Sequence, residues 1–210
     1  MRCQYTVTIK QQLGARIVGL IIKVNIMTLA KLSLLGSALL FAAATQAATA
    51  NKQAITAAEL EAAQQAWGQA LINISAAYSQ GGREQAEQKA RAVLDAAYGY
   101  NLGPVLFKPT LASGEQTFRT TYDGALAYFI GGSSTYTNDS GFALKGWQEY
   151  QFNNAAVHMN GDLALTMGHV ILTDADGQVT TVDKTWGFKK DENGTLRIVL
   201  HHSSLPYSAN

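Results

Sequence analysis

Near the C-terminus the run Leu200-His201-His202-Ser203-Ser204-Leu205-Pro206 gathers four polar side chains that can do chemistry. An imidazole exchanges protons near neutrality, with a reference pKa of about 6.5. A serine hydroxyl donates one hydrogen bond and accepts others. On an extended strand successive side chains face opposite ways, so His201 and Ser203 share one face and His202 and Ser204 the other. The two histidines therefore do not chelate one ion side by side. Pro206 removes a backbone donor, which marks a strand end or a sheet edge. By pattern alone, paired His and Ser at a strand end read as side chains bonded to neighbouring backbone. The same holds upstream, where Thr110 reads as a loop hydroxyl and Tyr128 as a core tyrosine with its hydroxyl satisfied.

The elements that must position these groups fall into two halves. Thr56-Ala57-Ala58-Glu59 is a capping box. Leu60, Ala63, Trp67, Ala70, Leu71, Ile74 and Tyr78 then recur at helical spacing until Gly81-Gly82 ends the stripe. A second helix is expected from about Glu84 to Tyr98, with Ala86, Ala90, Val93, Leu94 and Ala97 inward and Gly99 as its stop. Val105-Leu106-Phe107 reads as a short strand, Pro109 and Gly114 mark a loop, and Thr121 to Ile130 has helical spacing ended by Gly131-Gly132. After residue 144 come four strand-like runs: Trp147 to His158, Leu163 to Thr173, Val179 to Lys189 and Leu196 to Ser203. They are separated by the turn pairs Asn160-Gly161, Asp176-Gly177 and Asn193-Gly194, strong hairpin signals. Helices first and strands afterwards imply an α+β domain, its helices packed on one face of a four-stranded antiparallel sheet.

The last strand carries a conflict. Leu196, Ile198 and Leu200 alternate onto the face of His202, while Arg197 and Val199 share the face of His201 and Ser203. Either the apolar row packs against another subunit, or a bulge shifts the register before His201.

At the N-terminus Met27 opens a second pattern, with Lys31 ahead of the apolar run Leu32 to Ala44 and small residues at Ala47, Ala48 and Ala50. This is a secretory signal peptide, too short to span a bilayer. Residues 1–50 are therefore expected to be removed, leaving residues 51–210 as one domain, periplasmic or secreted. The removed part holds Arg2, Lys10, Arg16, Lys23 and Lys31 and no acid, which leaves 11 basic against 15 acidic residues and a net charge of −4. That balance gives no basic footprint for nucleic acid. Cys3, the one cysteine of the chain, goes with it, so the remaining domain has no disulfide and no thiolate ligand.

The His201-His202-Ser203-Ser204 run before Pro206, with Lys108-Pro109-Thr110 and Ala125-Leu126-Ala127-Tyr128-Phe129 upstream, resembles iota-class carbonic anhydrase. The likeness covers most of residues 51–210. It implies a curved sheet wrapped around helices in a cone, the fold of nuclear transport factor 2 and SnoaL-like proteins. It implies reversible hydration of carbon dioxide to bicarbonate and a proton. It places Thr110, Tyr128 and Ser203 as hydroxyls around the substrate, with His201 beside Ser203 as the candidate to take the proton from water. A homodimer is expected, with no membrane contact once the signal is cleaved.

The resemblance leaves metal dependence open, since some members are described as metal-free and others not. The residues favour no cofactor. Zinc or another divalent ion would need His158 or His169 recruited from other strands, with no ligand spacing to join them to His201. The alternative from another class is a non-catalytic cone that binds a small ligand or builds an oligomer. An isomerase of the same fold would need a carboxylate base, for which Asp123 and Asp183 are present without a supporting motif.

Overall fold

The structure, a computed structural model, describes residues 54–209; the expected leader and its cleavage region lie outside them. The first element, α1 (Ala57–Ala97), starts where the capping box directs. Glu59 N–H donates to Thr56 Oγ1 at 3.2 Å, and Thr56 N–H donates to the Glu59 carboxylate at 2.8 Å. The helix is broken at Gly81 and Gly82, whose backbone leaves helical geometry. Gly82 has φ 72°, a region that favours glycine. The break makes two helical arms, residues 57–80 and 83–97, as the two-helix expectation has it. Leu60, Trp67, Leu71 and Ile74 of one arm and Ala86, Ala90 and Leu94 of the other are buried in a common core.

A three-residue strand, β1 (Leu106–Lys108), and a short helix, α2 (Tyr122–Ile130), follow. Thr121 caps α2 by accepting from Gly124 N–H, and Gly131 ends it. Then come β2 (Trp147–Asn160), β3 (Leu163–Asp174), β4 (Val179–Lys190) and β5 (Leu196–Ser204). The three turns predicted from sequence join them as antiparallel hairpins.

The sheet order is β1-β5-β4-β3-β2, with β1 parallel to β5. This corrects the expectation of four antiparallel strands: the sheet has five and is mixed. The short run around Phe107 is a member of it, paired Phe107 to His201 and Lys108 to His202. Three residues carry too little alternation to announce a partner so far along the chain.

Bulges bend the sheet around the helices. In β2 the register shifts between Asn154 and Ala156 opposite Gly168. A side chain at Gly168 would put a Cβ 2.0 Å from the Asn153 carbonyl oxygen, so the close crossing there requires glycine. In β5, Ile198 pairs with Phe188 and Leu200 with Gly187, leaving Val199 as the extra residue. That bulge resolves the conflict in the last strand: Ile198, His201 and Ser203 are all buried, while His202 is exposed.

Candidate active site

The inward row of β5 ends in His201 and Ser203, and β1 runs alongside and delivers Thr110 to the same place. Thr110 Oγ1 and Ser203 Oγ are 2.8 Å apart and buried. Lys108 Nζ donates to the Ser203 carbonyl at 2.9 Å, pinning the loop to the strand end. From α2, the Tyr128 hydroxyl accepts from Leu111 N–H at 3.4 Å. Burial pushes its phenol pKa up, opposed by hydrogen bonds from Leu111 and Thr110. Three of the four sequence-predicted residues, Thr110, Tyr128 and Ser203, thus converge as hydroxyls. They bring three hydrogens; the Thr110–Ser203 bond uses one, leaving at most two to meet an incoming oxyanion.

Tyr128 also lines a small cleft with Leu111, Asp139, Phe142 and Lys145, of about 30 Å³. A single water needs roughly 10–15 Å³ by the same measure, so the space suits a very small molecule. One wall is held by a buried ion pair, in which Arg119 donates to Asp139 at 2.6 and 3.1 Å. Arg119 N–H also donates to the Phe107 carbonyl at 2.8 Å, tying that wall to β1.

His201, the fourth residue, is 2 % exposed. Rings of Trp67, Tyr98, Phe107, Phe129 and Trp186 surround it, with Phe107 closest at 4.4 Å between centroids. Its Nδ1 lies 2.8 Å from the Tyr98 hydroxyl and its Nε2 lies 2.7 Å from Lys184 Nζ. Burial above all holds its pKa well below the usual imidazole value, and any positive charge on neighbouring Lys184 or His202 acts in the same direction. A neutral ring with both nitrogens engaged has no free atom with which to take a proton from water directly. Its two hydrogen-bond partners are Tyr98 and Lys184.

Lys184 was not singled out from sequence. It stands on the inward face of β4 directly opposite Ser203, and burial lowers its pKa from 10.5 to about 7. A signal was there to read. In β4 the residues Val182, Lys184, Trp186 and Phe188 alternate inward, and a lysine in an apolar row is a buried amine.

The remaining candidates disperse. His158 and His169 sit on β2 and β3, and His169 Nε2 is 3.2 Å from the Asp183 carboxylate on a half-exposed surface. Asp123 lies in the first turn of α2. Among the described residues no three His, Cys, Asp or Glu side chains gather as a metal-binding group.

The family model for metal-independent carbonic anhydrase matches residues 58–205. A metal-independent carbonic anhydrase from Nostoc sp. (strain PCC 7120 / SAG 25.82 / UTEX 2576) is 56% identical over 155 residues, which are 74% of this chain and 76% of the relative. The crystal structure of an iota-carbonic anhydrase from a cyanobacterium, complexed with bicarbonate, is 55% identical. The match covers 75% of this chain and 96% of that one, with a TM-score of 0.74. An NTF2-like superfamily protein from Salmonella enterica subsp. enterica serovar Typhimurium str. LT2 matches 72% of this chain and 96% of its own. That last likeness is distant, at 16% identity and a TM-score of 0.35.

Proposed function

The chain belongs to the metal-independent carbonic anhydrase family, and we propose that it carries out the reversible hydration of carbon dioxide at the Thr110, Ser203 and Tyr128 hydroxyls. The observation that carries this reading is the buried 2.8 Å contact between Thr110 and Ser203, joined by β1–β5 pairing and set beside Tyr128. The bicarbonate held by the structural relative supports the same substrate here.

In hydration, a water oxygen bonds to carbon, one C=O π pair moves onto oxygen, and the water gives up a proton. Hydroxyl lone pairs hold the water, and the hydrogens left over from the Thr110–Ser203 bond meet the oxygen that gains charge. Donors already fixed in a buried site stabilise that charge without reorganising, and each contributes on the order of 10²–10³ in rate. The family description, metal-independent, agrees with a mechanism drawn from hydroxyls and amines.

Ser203→Ala, Thr110→Val and Tyr128→Phe each delete one hydroxyl with little change in volume. Each is expected to lower the stopped-flow hydration rate by roughly tenfold to a thousandfold with the fold intact. Full activity in all three would move the reaction elsewhere.

Two further readings belong to the same proposal. Export follows from the leader pattern at residues 27–50, and intact mass of the exported protein should give a start at Ala48 or Asn51; retention of residues 27–47 would refute it. A homodimer is expected from the outward sheet face, where Leu106 on β1 and Leu165 and Met167 on β3 are exposed apolar side chains. Sedimentation should give twice the chain mass, and a monomer at micromolar concentration would refute it.

A further inference from the structure

We propose that Lys184, held as a neutral amine by His201, is the group that receives the proton released when water attacks carbon dioxide, and that it passes this proton on to solvent buffer. The inference rests on placing the reaction at Ser203, Thr110 and Tyr128.

The polarity of a buried hydrogen-bond chain assigns the amine its charge. Trp67 Nε1 can only donate, and it donates to the Tyr98 hydroxyl at 3.0 Å. The Tyr98 O–H then needs an acceptor of its own, and His201 Nδ1 stands 2.8 Å away. A neutral imidazole accepting at Nδ1 carries its hydrogen on Nε2. That hydrogen points at Lys184 Nζ, 2.7 Å distant, and finds a lone pair there only if the amine is uncharged. An ammonium in its place would set two hydrogens against each other, or flip the imidazole and leave the Tyr98 O–H without an acceptor in the core.

The surroundings agree. Lys184 is 7% exposed, and the rings of Trp67 and Trp186 lie 4.8 and 5.6 Å from Nζ. Around Lys184 and His201 lie Tyr98 and, beyond it, Tyr100 from the segment that follows α1, Tyr128 from α2, Lys108 at the end of β1, and the outward His202 of β5. None is a carboxylate, and among the described residues no acid pairs with Lys184. Burial accordingly brings the amine to about 7, weak enough as a base to release a proton again at neutral pH.

Lys184 pairs with Ser203 in the β4–β5 register, which puts their Cβ atoms roughly 4.5–5.5 Å apart on one face. Rotation about Cε–Nζ carries the lone pair from His201 to the Ser203 side. In the forward step a C–O bond forms, a C=O π pair moves to oxygen, and the water proton passes by way of Ser203 to Nζ. Carbon dioxide, water and amine thus become bicarbonate and ammonium. The ammonium then loses its proton to buffer and re-forms its bond with His201. His201 acts through Lys184 and is a positioning residue.

The test is stopped-flow hydration by wild type and Lys184→Met from pH 6 to 9, at low buffer and with added imidazole, a base that titrates in this range and accepts the proton from solution. Wild type should gain activity through a midpoint near 7. The variant should lose about 100-fold or more at low buffer, lose that midpoint, and recover in proportion to imidazole. A wild-type rate and profile in the variant, or a uniform loss with the midpoint kept and no rescue, would overturn the proposal. Should the variant not fold, the 15N signal of Lys184 Nζ in the wild-type protein decides: titration near 7 supports the proposal, and an ammonium persisting to pH 9.5 overturns it. Ser203→Ala in the same assay separates the two claims, because full activity there removes the site itself, while its loss beside an unaffected Lys184→Met removes only the role of lysine.

Discussion

Replacing Lys184 with Met removes one buried amine and keeps nearly the same volume, so its effect on stability reads the charge state of that amine. In the folded chain burial lowers the group from 10.5 to about 7. Between those two values the unfolded chain binds a proton that the folded chain does not, so wild-type stability rises with pH across the window. The slope is about 1.4 kcal/mol per pH unit for one proton, or about 3 kcal/mol between pH 7.5 and 9.5. At pH 7 and below the full penalty is present, on the order of 5 kcal/mol. Met escapes it but leaves His201 Nε2–H without its acceptor, a loss of about 1–3 kcal/mol. The variant should therefore be more stable than wild type by a few kcal/mol at pH 7, with the advantage gone by pH 9.5. Urea denaturation of both proteins at pH 7.5, 8.5 and 9.5 and fixed ionic strength measures this. The phenols of Tyr98 and Tyr128, both raised by burial, are present in each protein and cancel in the difference. A difference that does not change with pH would refute the neutral lysine and the proton store built on it.

His201→Ala empties a ring-lined site and should cost about 3–5 kcal/mol in denaturant melts as well as most of the hydration rate, whereas exposed His202→Ala should change neither by much. Equal losses in the two would mean the β5 register is wrong. Arg119→Leu strands the buried Asp139 carboxylate and should cost about 3–5 kcal/mol, with Asp139→Asn in addition recovering part of it. An unchanged melting profile in Arg119→Leu would mean that the pair does not hold the cleft wall.

What the sequence made legible was local. Asn160-Gly161, Asp176-Gly177 and Asn193-Gly194 each specify a tight turn by backbone preference alone, so the β2–β5 meander could be laid out with ends close to those observed. The clash between Ile198 and His201 over which face is inside left two readings, a contact with another subunit or a bulge before His201, and Val199 is that bulge. The parallel β1 could not be paired from sequence, since its partner is chosen by tertiary packing of Phe107 against His201 rather than by any turn. Thr110 therefore owed its place beside Ser203 to the family resemblance and not to spacing. Lys184 lay in plain view on an alternating strand, yet only the structure sets its amine against His201 and shows the imidazole engaged on both sides.

The central claim is that this chain hydrates carbon dioxide with its own hydroxyls and amine. It is tested most directly by the stopped-flow hydration rate of wild-type protein after exhaustive chelation, with metal content measured on the same sample. The account predicts an unchanged rate at a metal content far below one per chain. A rate that vanishes on chelation and returns with one stoichiometric metal ion would contradict it.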